Sequence, residues 1–137
     1  MASKGFVRIV LVAATAAALL AGCQRKEPLY TVKDHAVPTA ARGLPAPTIE
    51  KAIMEAADAR GWYVDRLTPG VLRATQKWKT HVAVVDIQYS QDVYSINRVS
   101  TVNLLEQGDM VHRNYNKMVR VLEDEIDRRL HRAGRSG

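Results

Sequence analysis

Three runs of alternating apolar and polar residues, joined by gaps too short for anything but a turn, constrain this chain more than any other feature. They are Val71 to Trp78, His81 to Tyr89 and Val93 to Val102. In the first, Leu72, Ala74, Gln76 and Trp78 share one side and Arg73, Thr75 and Lys77 the other. In the second, Ala83, Val85, Ile87 and Tyr89 oppose Val82, Val84, Asp86 and Gln88. In the third, Tyr94 and Ile96 oppose Val93, Ser95, Asn97, Val99 and Thr101. A period of two is that of a strand with one buried face. Lys79-Thr80 and Ser90-Gln91-Asp92 leave no room for the crossover of a dozen or more residues that parallel pairing needs. Trp62 to Arg66, followed by the turn residues Thr68-Pro69-Gly70, adds a fourth strand. The expectation is a four-stranded antiparallel meander.

A helix is expected on each side of it. Thr48 can cap the first, with Glu50 in the opening turn and Gly61 just past the end. Ile49, Ala52, Ile53 and Ala56 form its apolar face. The second is expected from Met110 to about His131. Val111, Tyr115, Met118, Val119, Leu122, Ile126 and Leu130 recur there at spacings of three and four. Glu123 lies four residues before Asp127, so the charge pairs along this helix are only partly attractive. Helix, four strands, helix predicts an α+β two-layer sandwich with both helices on one face of the sheet. The outer face, with Arg73, Thr75, Lys77, Asp86, Gln88, Ser95 and Asn97 among Val82, Val84, Val93 and Val99, is polar enough to meet water. Its valines are either ordinary strand formers or part of a partner site.

The N-terminal part is of another kind. Lys4 and Arg8 precede an apolar run that ends at Leu20, too short for the ~20 residues that cross a bilayer. A basic start and a short apolar run describe a secretory signal peptide over residues 1–22, with an uncleaved N-terminal anchor as the alternative. The run stops at Leu20-Ala21-Gly22-Cys23, which holds the chain's only cysteine. This segment resembles the lipobox of bacterial lipoproteins. The resemblance implies cleavage between Gly22 and Cys23, and thioether and acyl lipid, palmitate included, on Cys23. It further implies outer-membrane rather than inner-membrane placement, because Gln24 and not Asp follows the cysteine. Lipid on the sulfur also suits the lack of any second cysteine for a disulfide in an oxidising compartment.

Taking 22 from 137 residues leaves 115, enough for one small domain. Loss of Lys4 and Arg8 lowers the formal charge from +6 to +4. The remaining cations are scattered among acids, which argues against nucleic acid and leaves a weak attraction to anionic headgroups open. Residues 23–47 hold Pro28, Pro38, Pro45 and Pro47 and show no sustained period. They are expected to be a flexible tether that holds the domain, residues 48–137, several tens of Å off the membrane. A short edge strand around Leu29, Tyr30 and Val32 is the alternative.

No motif for chemistry stands out. Ser90, Ser95 and Ser100 lack the G-x-S-x-G setting, neither phosphate-binding glycine pattern occurs, and His81, His112, Asp86 and Asp109 lack metal-ligand spacing. No catalytic residue, metal or cofactor is expected. Tyr89, Tyr94, Asn97, His112, Asn114, Tyr115 and Asn116 are the candidates for a recognition groove between the last strand and the last helix. Cap and strand-end hydrogen bonding would account for the same residues. The runs His81 to Tyr89, Tyr94-Ser95-Ile96 and His112 to Asn116 resemble those of small, uncharacterised proteobacterial lipoproteins. That resemblance implies an exported accessory protein and carries no catalytic residues. The functional expectation is therefore a non-enzymatic, periplasm-facing lipoprotein of the outer membrane. Its partner would be another envelope component, protein rather than nucleic acid, and the alternative is a small-ligand or lipid-binding periplasmic module.

Overall fold

Alternation sets the sheet. The computed structural model describes residues 25–137, so the expectations for residues 1–22 and for Cys23 lie outside the described residues. Strands β3 (Tyr63–Thr68), β4 (Val71–Trp78), β5 (His81–Tyr89) and β6 (Val93–Val102) form the expected antiparallel meander. Leu72, Ala74, Ala83, Val85, Ile87, Tyr94 and Ile96 are buried on one face. Helices α1 (Ala46–Ala59) and α2 (Arg113–Arg135) cover that face, giving two layers in an α+β architecture.

The flexible-tether expectation for residues 23–47 is corrected over its described part. Lys26–Pro28 is a strand, β1, paired with β7 (Met110–His112) in a small second sheet. Val32–Ala36, β2, is a fifth strand of the main sheet, whose order is β2-β6-β5-β4-β3. A 3-10 turn, Thr39–Ala41, then packs on α2. The prolines permit this because they stand where no ladder donor is needed: Pro28 ends β1, Pro38 follows β2 and Pro45 caps α1. Val32, Val37 and Ala41 are buried in the common core, so the folded unit takes in this segment and does not begin at Thr48.

Both helix starts also move. The N-cap of α1 is Pro45 rather than Thr48, since Pro47 fits the first helical turn, where its missing N–H costs nothing. At the other end, Gly61 at φ +80° lets its own N–H and that of Trp62 reach back to the carbonyls of Asp58 and Ala57, 3.0 Å each. Met110–His112 is strand rather than helix, and α2 begins at Arg113 with His112 as cap, its Nδ1 accepting from the Asn114 N–H at 3.1 Å.

Two bulges re-aim side chains. Between the pairs Val32↔Ile96 and His35↔Tyr94, β2 has one residue more than β6. Asp34, at φ +46°, takes up the extra residue, and its N–H donates to Ser95 Oγ at 2.9 Å. The insertion puts Val32 and His35 on the same, helix-facing side of the sheet. A second bulge at Val99 reverses the phase of β6. Arg98 and Thr101 pair with Val85 and Ala83, which face the helices, so Thr101 lies opposite to where strict alternation places it.

Candidate functional site

The seven residues expected to line one groove are dispersed by the fold. Tyr94, Tyr115 and Asn116 are buried. The Tyr89 hydroxyl donates to Glu50, which Arg66 also holds, beside the first turn of α1. Asn97 lies on the outer sheet face opposite Asp86, His112 caps α2, and Asn114 is exposed in a groove with Glu27 and Arg113. Asn116 works as a clasp for the N-terminal segment. Its Oδ1 accepts from the Tyr30 N–H at 2.9 Å, and its Nδ2 donates to the Pro28 carbonyl at 2.8 Å and to Glu27 at 3.3 Å.

One of the seven, Tyr94, belongs to a polar chain whose other members the sequence did not point to. On α2, Glu123 and Asp127 are one helical turn apart, and two like charges so placed repel. His35, turned inward by the bulge, sits between them: Nδ1 is 3.0 Å from Glu123 Oε1 and Nε2 is 2.9 Å from Asp127 Oδ2. The Tyr30 hydroxyl donates to Glu123 Oε2 at 2.6 Å and the Tyr94 hydroxyl to Asp127 Oδ1 at 3.0 Å. All four carboxylate oxygens thus have partners. A neutral imidazole carries one N–H and can donate to one of the two acids, whereas the imidazolium donates to both. The Tyr94 ring lies 5.0 Å from His35, and the Arg120 guanidinium covers the Tyr30 ring at 4.1 Å.

Both phenols are held neutral here. Burial, then the Asp127 charge, raises the Tyr94 hydroxyl far above the ordinary phenol range, and the hydrogen bond to Glu123 is the main cause of the rise at Tyr30. Tyr115 is raised as well, chiefly by burial. Among the described residues, no serine, threonine or cysteine is hydrogen-bonded to His35. As an arrangement this is a clamp between β2 and α2. The signal that could have found it was the like-charged pair Glu123/Asp127, which asks for a cation from another element.

The remaining polar clusters are also ties between elements. Glu125 accepts from Arg128, Arg129 and Arg60 at 2.7–2.9 Å, joining the end of α1 to α2. Arg73 grips Asp86 with two bonds of 2.8 and 3.0 Å across the outer sheet face. His81 Nδ1 meets the Asn103 carbonyl at 2.7 Å. Among the described residues, no group of three His, Cys, Asp or Glu side chains is placed to hold a metal ion.

Among the described residues, no element covers the outer face of the sheet. Tyr63 and Val102 are 69% and 51% exposed there, with half-buried Val82 and Val84 beside them on β5. Cross-strand pairing makes these a patch: Tyr63 opposes Thr75, which opposes Val84, and Val82 opposes Val102. Fold and clusters together define a two-layer α+β domain with one open, partly apolar sheet face. Compared with known proteins, the chain matches no protein family, no curated protein and no solved structure.

Proposed function

We propose that this protein is a lipid-anchored component of the bacterial cell envelope, attached through Cys23 at the outer membrane, whose α+β domain binds another envelope protein without catalysis. The observation that carries the binding role is the open sheet face around Tyr63, Val82, Val84 and Val102. Its valines on β5 and β6 stand beside Lys77, which opposes Val82, and the Arg73–Asp86 pair. An aromatic side chain exposed among valines, with charges at the margin, is the composition of a protein-binding patch. The anchor is supported by the lipobox-like segment ending at Cys23. Among the described residues no helix is long and apolar enough to cross a membrane.

Site-specific photocrosslinking in intact cells tests the binding role. A benzophenone side chain at Tyr63 should give a discrete protein adduct, and one at the exposed Lys51 on α1 should not. Equal, background-level labelling from both positions would remove the basis for a partner on the sheet. Mass spectrometry of the mature protein reports on the anchor separately, through acyl mass on Cys23 or a free thiol.

A further inference from the structure

We infer that the groove between β1 and the first turns of α2 is a docking face for anionic phospholipid, and that it lays the domain flat on the bilayer that holds its lipid. This deepens the anchored reading and rests on it. The groove, about 450 Å³, is lined by Glu27, Arg113, Asn114, Lys117, Arg120 and Val121. Arg113, Lys117 and Arg120 recur at four and three residues, so they share one face of α2, and all three are exposed. Arg25 and Lys26 join them. The Arg25 carbonyl accepts from the Arg113 N–H at 2.9 Å, and Lys26 is the register partner of His112. Among the described residues, none of these five cations is in an ion pair. Glu27 is the one carboxylate lining the groove, and Asn116 donates to it.

The position of this charge gives it an occupant. Arg25 is two residues from Cys23, so covalent geometry limits their Cα separation to about 7 Å. Because β1 is locked into a sheet at Lys26, no long spacer is left to lift the domain. A lipid on Cys23 therefore brings Arg25 and Arg113 to within the order of one Debye length, ~8 Å at physiological salt, of the headgroups. The other cationic region, at the C-terminal end of α2, lies about 30 Å away along the helix. It is partly neutralised, since Glu125 holds Arg128 and Arg129, and Glu55 lies 3.9 Å from Arg129.

The test uses the mature protein as purified from cell membranes, reconstituted in phosphatidylcholine vesicles with and without phosphatidylglycerol. A water-soluble amine reagent labels the lysines, and mass spectrometry reads the labelling rate at each. Lys26 and Lys117 should react several-fold more slowly on the anionic vesicles, with Lys51, Lys77 and Lys79 unchanged. The protection should fade as salt is raised. Arg113→Gln with Arg120→Gln should weaken it by about fivefold per charge removed, and Arg132→Gln at the far end should not. Lys117 reacting equally on both vesicle types, or Lys51 protected as strongly as Lys117, would overturn the docking face while leaving the anchor in place. An unmodified Cys23 in the same spectra would overturn the anchor, and this orientation with it.

Discussion

Gly134 stands inside α2, where glycine is about 1 kcal/mol worse than alanine. Its reason is contact: a Cβ there would overlap the backbone of Ala40 and Ala41 in the 3-10 turn. Gly134→Ala should therefore destabilise the protein by roughly 1–3 kcal/mol instead of stabilising it, as urea unfolding would measure. A gain in stability would mean that the turn does not rest on α2. His35 supports a second expectation. Replacing it with alanine leaves Glu123 and Asp127 one turn apart with no imidazole between them. The cost should fall near the lower end of the ~1.5–3 kcal/mol range for charged hydrogen bonds, because His35 and Asp127 are each 35% exposed. In the same assay, Asp127→Asn should partly offset that loss by removing the repulsion.

Such polar ties add to the core in holding elements to one another. Glu125 binds the end of α1 to α2. Its contacts with Arg128 and Arg129, and then Arg60, lower its carboxyl from the ordinary 4.5 to about 2. A depressed value in the folded state means that the stabilisation is complete above about 4.5 and is lost as the pH falls toward 2. Glu125→Gln should thus cost roughly 1.5–3 kcal/mol near neutral pH. Unfolding curves of the two proteins should converge as the pH drops below about 4.5, and a gap that persists in acid would assign the loss to packing. For the N-terminal segment, the clasp is Asn116. Asn116→Ala should cost roughly 1–3 kcal/mol. It should also make residues 26–47 the first site of limited proteolysis, where the wild type resists.

The strands of the meander were legible because each runs six to ten residues with its partner next in sequence. By contrast β1 and β2 are three and five residues long. Their partners β7 and β6 lie far along the chain, so no local period betrays them. Proline density in that stretch pointed to a spacer, although each proline sits at a boundary. Of the expected groove, Tyr94 joined the chain around His35, which could not be foreseen because His35 and Tyr30 come from the segment set aside as spacer.

At the scale of the molecule, a single core takes in the N-terminal segment, the sheet and both helices: Val32, Val37, Ile53, Trp62, Ile87, Val111 and Leu122 belong to one buried cluster. Unfolding should accordingly be one cooperative transition, with tryptophan fluorescence and far-ultraviolet circular dichroism giving the same urea midpoint. Separate midpoints would show that the first strands melt independently. The two outermost strands of the main sheet, β2 and β3, each carry a bulge, between Val32 and His35 and between Arg66 and Thr68. An irregular margin is a poor template for strand addition by a neighbour. Copies brought together at high concentration should thereby resist zipping edge to edge into fibrils.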